Sequence, residues 1–336
     1  MTLLHNHGAN CSCGSPSLTL NTASQYDPTR TSTLRNAFAQ DMRRRFNWLN
    51  KLIREAIITQ DVFGYQDSFS VVSFARKSPL PNGVLPGRKA FAFSSNPEKI
   101  EKFMVWFQSQ VNSGILQSTQ ITQVGTALQP QWTNTYIQDS YKRGVIRARY
   151  EMGKAGYPVP SLASTGGISA SMSTPFHIDR VGILYIRKFQ GLQGITAAMD
   201  TQVSRILAQG IADGDGPRLL ARKLTRTITG PSGDLGITDS IGRYIPARRR
   251  AEMLARTEII RAHHQATIQE YKNWGLEGVK VKAEWNTAGD NRVCPDCQAL
   301  EARVFTLEQI DGMIPVHPSC RCIALPVDVT DINENT

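Results

Sequence analysis

The sequence has no cysteine between Cys13 and Cys294. Its six cysteines form an N-terminal pair, Cys11 and Cys13, and a C-terminal group, Cys294, Cys297, Cys320 and Cys322. A secreted disulfide framework spreads cysteines through a short chain, so this distribution points to metal instead. No apolar stretch approaches the roughly 20 residues a membrane helix needs, so no membrane contact is expected. The opening run Met1-Thr2-Leu3-Leu4-His5-Asn6-His7 lacks the basic and apolar regions of a secretory signal. Aromatic residues are scarce, at 8%, but hydrophobic residues make up 40%, enough for a real core. These absences lead to the expectation of a soluble protein folded in a reducing cytoplasm.

At 336 residues the chain is long enough for one large domain or two ordinary ones. Its net charge of +10 favours polyanions such as nucleic acid through counterion release. The densest basic runs are Arg43-Arg44-Arg45 and Arg248-Arg249-Arg250. They are candidate contacts to DNA phosphates, with little sequence readout and no recognisable base-reading motif. The plainer reading of both runs is ordinary solvated helix surface.

Residues 1–33 are rich in Ser, Thr, Asn and Gly and read as an extended tail. From Leu34 an apolar stripe at steps of three and four runs through Phe38, Met42, Leu49, Leu52, Ile53, Ala56 and Ile57. It predicts a helix to about Gln60, capped by Thr31, Ser32 or Thr33, with a looser step across Arg43-Arg44-Arg45-Phe46. A loop region with a short strand at Ser70–Phe74 follows. Asn96-Pro97-Glu98 opens a second helix, and a third runs from Trp132 to Lys154. Together these make a helical region over residues 34–155. The Gly/Ser-rich stretch 156–176 is either a flexible loop or a boundary. Residues 177–275 read as a central helical part, with breaks at Asp213-Gly214-Asp215-Gly216 and at Gly230-Pro231. Beyond Gly275 the period changes to two, with Val279, Val281, Ala283 and Trp285 alternating with Lys280, Lys282 and Glu284, the mark of a half-buried strand. The fold class is therefore α+β: a mostly helical body followed by a small β-rich zinc-knuckle domain over residues 276–328, with a tail at 329–336.

Cys294-Pro295-Asp296-Cys297 spaces two thiolates so that a tight turn aims both at one cation. His317-Pro318-Ser319-Cys320 repeats the gap with an imidazole and a thiolate, and Cys322 follows. Sulfur with imidazole selects zinc among available divalent ions. Five donors compete for four tetrahedral positions. The first assignment is Cys294, Cys297, His317 and Cys320, and the alternative replaces Cys320 by Cys322. So many protein ligands describe a closed, structural site, stabilising a small domain with too little core of its own. His5, His7, Cys11 and Cys13 form a second candidate set, weighed against a tail without a metal role.

Three stretches then bring a family into view: Ala255-Arg256-Thr257-Glu258-Ile259-Ile260-Arg261-Ala262; Trp285-Asn286-Thr287 with Asp290-Asn291-Arg292-Val293-Cys294; and His317-Pro318-Ser319-Cys320-Arg321-Cys322. This set, over roughly residues 180–327, resembles the phage head morphogenesis family, the minor head proteins of the phage Mu protein F kind. Upstream, Asp27-Pro28-Thr29-Arg30 before a basic amphipathic helix is similar to the N-terminal region of such proteins. The resemblance implies a minor component of the capsid interior or portal vertex, assembled in the host bacterial cytoplasm. It also implies partnership with the portal or major capsid protein and non-specific contact with packaged double-stranded DNA. Arg256, Thr257, Glu258, Trp285, Asp290 and Arg321 are its motif residues here.

The resemblance implies no enzymatic activity. Some relatives carry a toxin domain after this module, and with ten residues beyond Pro326 none is expected here. A metal-dependent nuclease or nucleotide-modifying enzyme, and a DNA-binding protein free of capsids, are the alternatives. Glu258 with His263 or His264 one turn away is a candidate acid–base pair; the competing reading is an ion-pair network that docks the helix. His177, alone near a helix start, reads as a satisfied polar contact.

Overall fold

A computed structural model describes residues 27–65, 83–117, 131–229, 245–275 and 281–327. The strand read at Ser70–Phe74, the turn at Gly230-Pro231, residues 1–26 of the N-terminal tail with His5, His7, Cys11 and Cys13, and the tail 329–336 lie outside these; residues 27–33, read as the end of the extended tail, form a turn and the start of a helix instead. The described residues are mostly helical, with one three-stranded antiparallel sheet. Two compact units divide the chain. One comprises residues 1–39, 130–188 and 253–336, the other residues 40–129 and 189–252. Helices α1 (Ser32–Arg54), α5 (Pro175–Ala212) and α7 (Ala247–Gly275) contribute residues to both. No helix among the described residues is long and apolar enough to cross a membrane.

In the first unit α1 is started from outside the helix. The Asp27 carboxylate accepts the backbone N–H of Ser32 at 2.6 Å and the Arg35 guanidinium at 2.9 Å. A carboxylate at this end satisfies an orphan amide and favours the helix dipole. Asp27, four residues before Thr31, thus bonds the first amide of the helix, while Thr31, which directly precedes α1, has its hydroxyl on Thr29 at 2.7 Å. Helix α3 (Trp132–Lys154) packs on α7 at Gly144, where a Cβ would meet the His263 carbonyl oxygen at 2.5 Å. Ser140 donates to the Ile259 carbonyl at 2.6 Å in the same contact. The Gly/Ser-rich stretch holds a short helix, α4 (Gly167–Met172). It is entered through Gly166 and Gly167 at φ 83° and 86°, a conformation that L side chains resist.

The sheet has the order β2-β1-β3, from β1 (Lys282–Asn286), β2 (Val304–Thr306) and β3 (Ile323–Pro326). Trp285 pairs with Ala324 and Ala283 with Phe305. Ala283 and Trp285 point inward while their neighbours are half-exposed, the alternation the sequence showed. The sheet does not own its core. Trp285 and Ala283 pack in one cluster with Ala148, Met152 and Tyr157 from α3 and just beyond it, and with Ile260, Ile268 and Tyr271 of α7. This accords with the expectation of a small domain short of core of its own: two helices supply the apolar surface that a three-stranded sheet cannot bury alone.

In the second unit, Met42, Phe46, Leu49, Leu52 and Ile53 of α1 are fully buried. Phe46 closes the looser step in the stripe, so the periodicity runs unbroken through the arginine run. The helix ends in a π-helical turn at Glu55–Thr59, and α2 (Asn96–Ser109) ends in another at Gln110–Gly114. Phe63, Phe91, Phe103, Trp106 and Phe107 form an aromatic group with ring centroids 5.2–6.4 Å apart. Helix α6 (Pro217–Thr229) buries Leu220, Ala221, Leu224 and Ile228.

Candidate metal centre

Cys294 caps a one-turn helix, α8 (Pro295–Gln298), with proline at its first position. Its sulfur accepts the backbone N–H of Cys297 at 3.4 Å, which turns both thiols to the same side. The second half of the site comes from the segment before β3. Ser319 adopts φ 62°, an unusual conformation for a non-glycine residue, and brings Cys320 around behind His317. The Ser319 amide donates to Thr257 Oγ1 on α7 at 2.9 Å, which fixes that turn.

The donors converge. His317 Nε2 lies 3.2 Å from Cys294 Sγ and 3.1 Å from Cys297 Sγ, and Cys297 Sγ lies 3.9 Å from Cys320 Sγ. Cys294, Cys297 and His317 form one set able to hold an ion, and Cys297, Cys320 and Cys322 another, with Cys297 common to both. A tetrahedral zinc with bonds of about 2.3 Å to sulfur and about 2.0 Å to nitrogen sets S···S near 3.8 Å and S···N near 3.5 Å. The donor separations fit that frame. His317 Nδ1 donates to the Pro318 carbonyl at 2.9 Å, which leaves the Nε2 lone pair facing the sulfurs. All five side chains are buried, from 1% exposure for Cys320 to 7% for His317. Hydrogen bonds from Cys297 and Cys322 hold Cys320 well below its ordinary range, while hydrogen bonding with Cys320 and Cys322, together with burial, pushes Cys297 up. The residues present therefore suit a closed site for a thiophilic ion, with Cys320 the readiest thiolate.

The motif residues surround this cluster. Arg321 donates twice to Asp290, at 2.6 Å for each pair of atoms, and Asp290 also accepts the Arg292 amide at 3.0 Å. The doubly bonded Arg321 holds the Asp290 carboxyl well below the usual carboxylate range. This pair ties the segment carrying Cys294 to the segment carrying Cys320 and Cys322. Trp285 is fully buried beside Phe305. Thr257 anchors the Ser319 turn, a role that its place in a helical stripe did not disclose. Glu258 is buried and pairs with Arg261 at 3.1 Å, and Arg256 is half-buried. His263 and His264 lie wholly inside, where burial lowers them to about 3 and about 4.

The satisfied polar contact expected at His177 is present, while a second buried polar group, Lys188, went unread in the sequence. His177 Nδ1 meets the Tyr141 hydroxyl at 2.8 Å and its Nε2 meets Glu270 at 2.9 Å; Arg149 and Trp274 also bind Glu270. Burial alone would raise Glu270, but the hydrogen bond from His177 and the Arg149 charge outweigh it and lower its pKa. Lys188 is 1% exposed and bound to Thr133 and to Asn134 Oδ1. Burial lowers it to about 7, against the attraction of Glu258. A lysine in an apolar stripe gives no sign in sequence that it points inward.

The arginine runs meet in the second unit. Arg43 binds Glu252 through two hydrogen bonds, at 3.1 and 2.8 Å, and Arg248 lies 3.6 Å from the same carboxylate. Arg45 donates to the Ile115 carbonyl at 2.6 Å, and Arg44 pairs with Asp41 at 2.9 Å. Arg249 is exposed and Arg250 half-buried.

Residues 201–325 match the family model described as Phage Mu protein F like protein. The matched stretch takes in α6, α7, the cluster and most of the sheet, and supports the resemblance to the phage head morphogenesis family read from the sequence. The similarity at Asp27–Arg30 lies outside the matched stretch. No curated protein and no solved structure matches the chain.

Proposed function

We propose that the protein is a minor head protein of a tailed phage, associated with the portal or the inner capsid and touching packaged double-stranded DNA through phosphates. The family match over residues 201–325 carries this reading. The net charge of +10 has the sign that contact with DNA requires. One zinc ion would be held by Cys294, Cys297, His317 and either Cys320 or Cys322, as a structural staple. When bound, zinc supplies fixed tetrahedral crosslinks between the two cysteine-bearing segments. Asp290 and Arg321 hold those segments in place, and His317 is oriented by the Pro318 carbonyl.

A structural rather than an enzymatic role is supported by the candidate acid–base groups. Glu258 is buried and ion-paired, and His263 and His264 are 1% and 2% exposed, with burial lowering them to about 3 and about 4, which keeps them neutral at physiological pH. Five buried protein donors also leave little room for the open coordination position a catalytic zinc keeps.

Fractionation of infected cells tests the reading. The protein should co-purify with portal-containing procapsids and carry one equivalent of zinc. Absence from procapsids and virions alike would overturn it. Salt-sensitive DNA binding without portal association would favour a free DNA-binding protein. Divalent-dependent DNA cleavage abolished by His317→Ala would favour a nuclease.

A further inference from the structure

Helix α6 displays Arg218, Arg222 and Arg226 at intervals of four residues, so the three share one face, about 6 Å apart along the axis. All three are exposed. Among the described residues none of the three guanidiniums has an ion pair or hydrogen bond; the Arg222 contact with the Thr225 hydroxyl is through its backbone carbonyl. The helix contains no acidic residue. Its one lysine, Lys223, is occupied by Asp215 at 2.5 Å.

This arrangement does not serve the helix itself. Like charges four residues apart disfavour a helix by a few tenths of a kcal/mol per pair, and Arg218 stands at the end where the dipole repels cations. The opposite face is spent. Leu220, Leu224 and Ile228 are fully buried, and Ala221 nearly so. A basic amphipathic helix with its apolar face buried in its own unit has nothing left to insert into a lipid surface. The helix is also pinned in place: Asn50 of α1 donates to the Thr225 carbonyl at 3.4 Å and to the Thr229 hydroxyl. The result is a rigid row of three unengaged guanidiniums, suited to the repeating charge of a nucleic-acid backbone.

We propose that Arg218, Arg222 and Arg226 form the surface that tracks the phosphate backbone of double-stranded DNA, without reading bases. This rests on the DNA contact proposed above and adds the surface that makes it. Arg43 and Arg248 are less suited, because they share the Glu252 carboxylate.

Binding of the full chain to a short mixed-sequence duplex, measured across a potassium chloride series, tests it. Each phosphate contact contributes a slope of about −0.9 in log K against log salt. Replacing all three by glutamine should flatten the slope by about 2.7 and weaken binding at least tenfold near 0.1 M salt. Lysine at all three positions should keep most of the slope. The charge-matched control Lys51→Gln, Lys102→Gln, Lys154→Gln should change affinity less than threefold. Thermal melting of each variant checks folding; the glutamine ladder should melt no lower than the parent. Equal losses in ladder and control variants would overturn the proposal and leave diffuse charge as the cause. Failure of the parent protein to bind any duplex would overturn the underlying DNA reading as well. A preference for one sequence lost with the ladder would overturn the claim that bases are not read.

Discussion

The two compact units solve the problem of burial differently. The interior of the second unit is mostly apolar, with an aromatic group around Phe103 and leucines and isoleucines from α1, α5 and α6; its few buried polar groups include Asp61, Gln110 and Glu252. The first unit buries polar and ionisable groups in quantity, namely five metal-type donors, the Tyr141–His177–Glu270–Arg149 chain, Lys188, His263 and His264. Buried polar groups stabilise only when their partners are all in place, and otherwise cost several kcal/mol. The contrast teaches that the first unit is sensitive to its chemistry, such as metal, pH and partner loss, and the second mainly to volume.

The largest test of that contrast is Cys297→Ser, because Cys297 belongs to both candidate donor sets. Bound zinc should fall from one equivalent to none, and stability by an amount on the order of 5 kcal/mol. Zinc retained at full stoichiometry would break the comparison. Cys320→Ser and Cys322→Ser, measured side by side, sharpen it, since the true fourth ligand should cost more metal affinity than its neighbour.

Phe103→Ala, in the aromatic group, should cost about 3–5 kcal/mol in denaturant unfolding and leave zinc content unchanged. Lost zinc in that variant would mean the two kinds of burial are not separable.

Gly144→Ala should cost about 2–3 kcal/mol by overpacking, since the added carbon would meet backbone of α7 that cannot easily yield. A variant as stable as the parent would show that α3 and α7 lie farther apart.

Lys188 predicts a pH signature. Its folded pKa is lowered to about 7 from 10.5, so between those values the unfolded chain binds the extra proton. Stability from this group therefore rises with pH above about 7, by up to about 1.4 kcal/mol per pH unit. Lys188→Met should lose that rise in urea titrations run from pH 7 to 9. Parallel curves for the two proteins would mean that Lys188 stays charged in the fold.

Asp290→Asn should have the smallest effect, about 1 kcal/mol at neutral pH. Its carboxyl pKa is lowered, so the contribution is present above the unfolded value near 4 and fades as pH falls through the folded one. Equal stability of the two proteins at pH 7 would make the Arg321 pair a bystander.

Much of this was legible beforehand where a local rule governs. The stripes of α1, α3 and α5, the proline starts of α2 and α6, and the alternation of β1 are written as residue spacing. The Cys/His cluster was legible because a tight turn fixes where two thiols can point. The roles of Thr257 and Lys188 were not, nor were the partners that satisfy His177, since each depends on a residue 36 to 93 positions away. The arginine runs look alike in sequence, yet Glu252 occupies Arg43 and Arg248, while the guanidiniums of the three single arginines of α6 have no partner among the described residues.

The sequence by itself determined the helices, the strand period, the charge and the donor set, because each depends on neighbours a few bonds apart. Only the tertiary structure decided that the sheet borrows its core from α3 and α7, and that three long helices serve two units. It alone decided that Thr257 and Asp290 hold the halves of the metal site together. Those outcomes depend on which distant surfaces bury each other, and no local spacing encodes that choice.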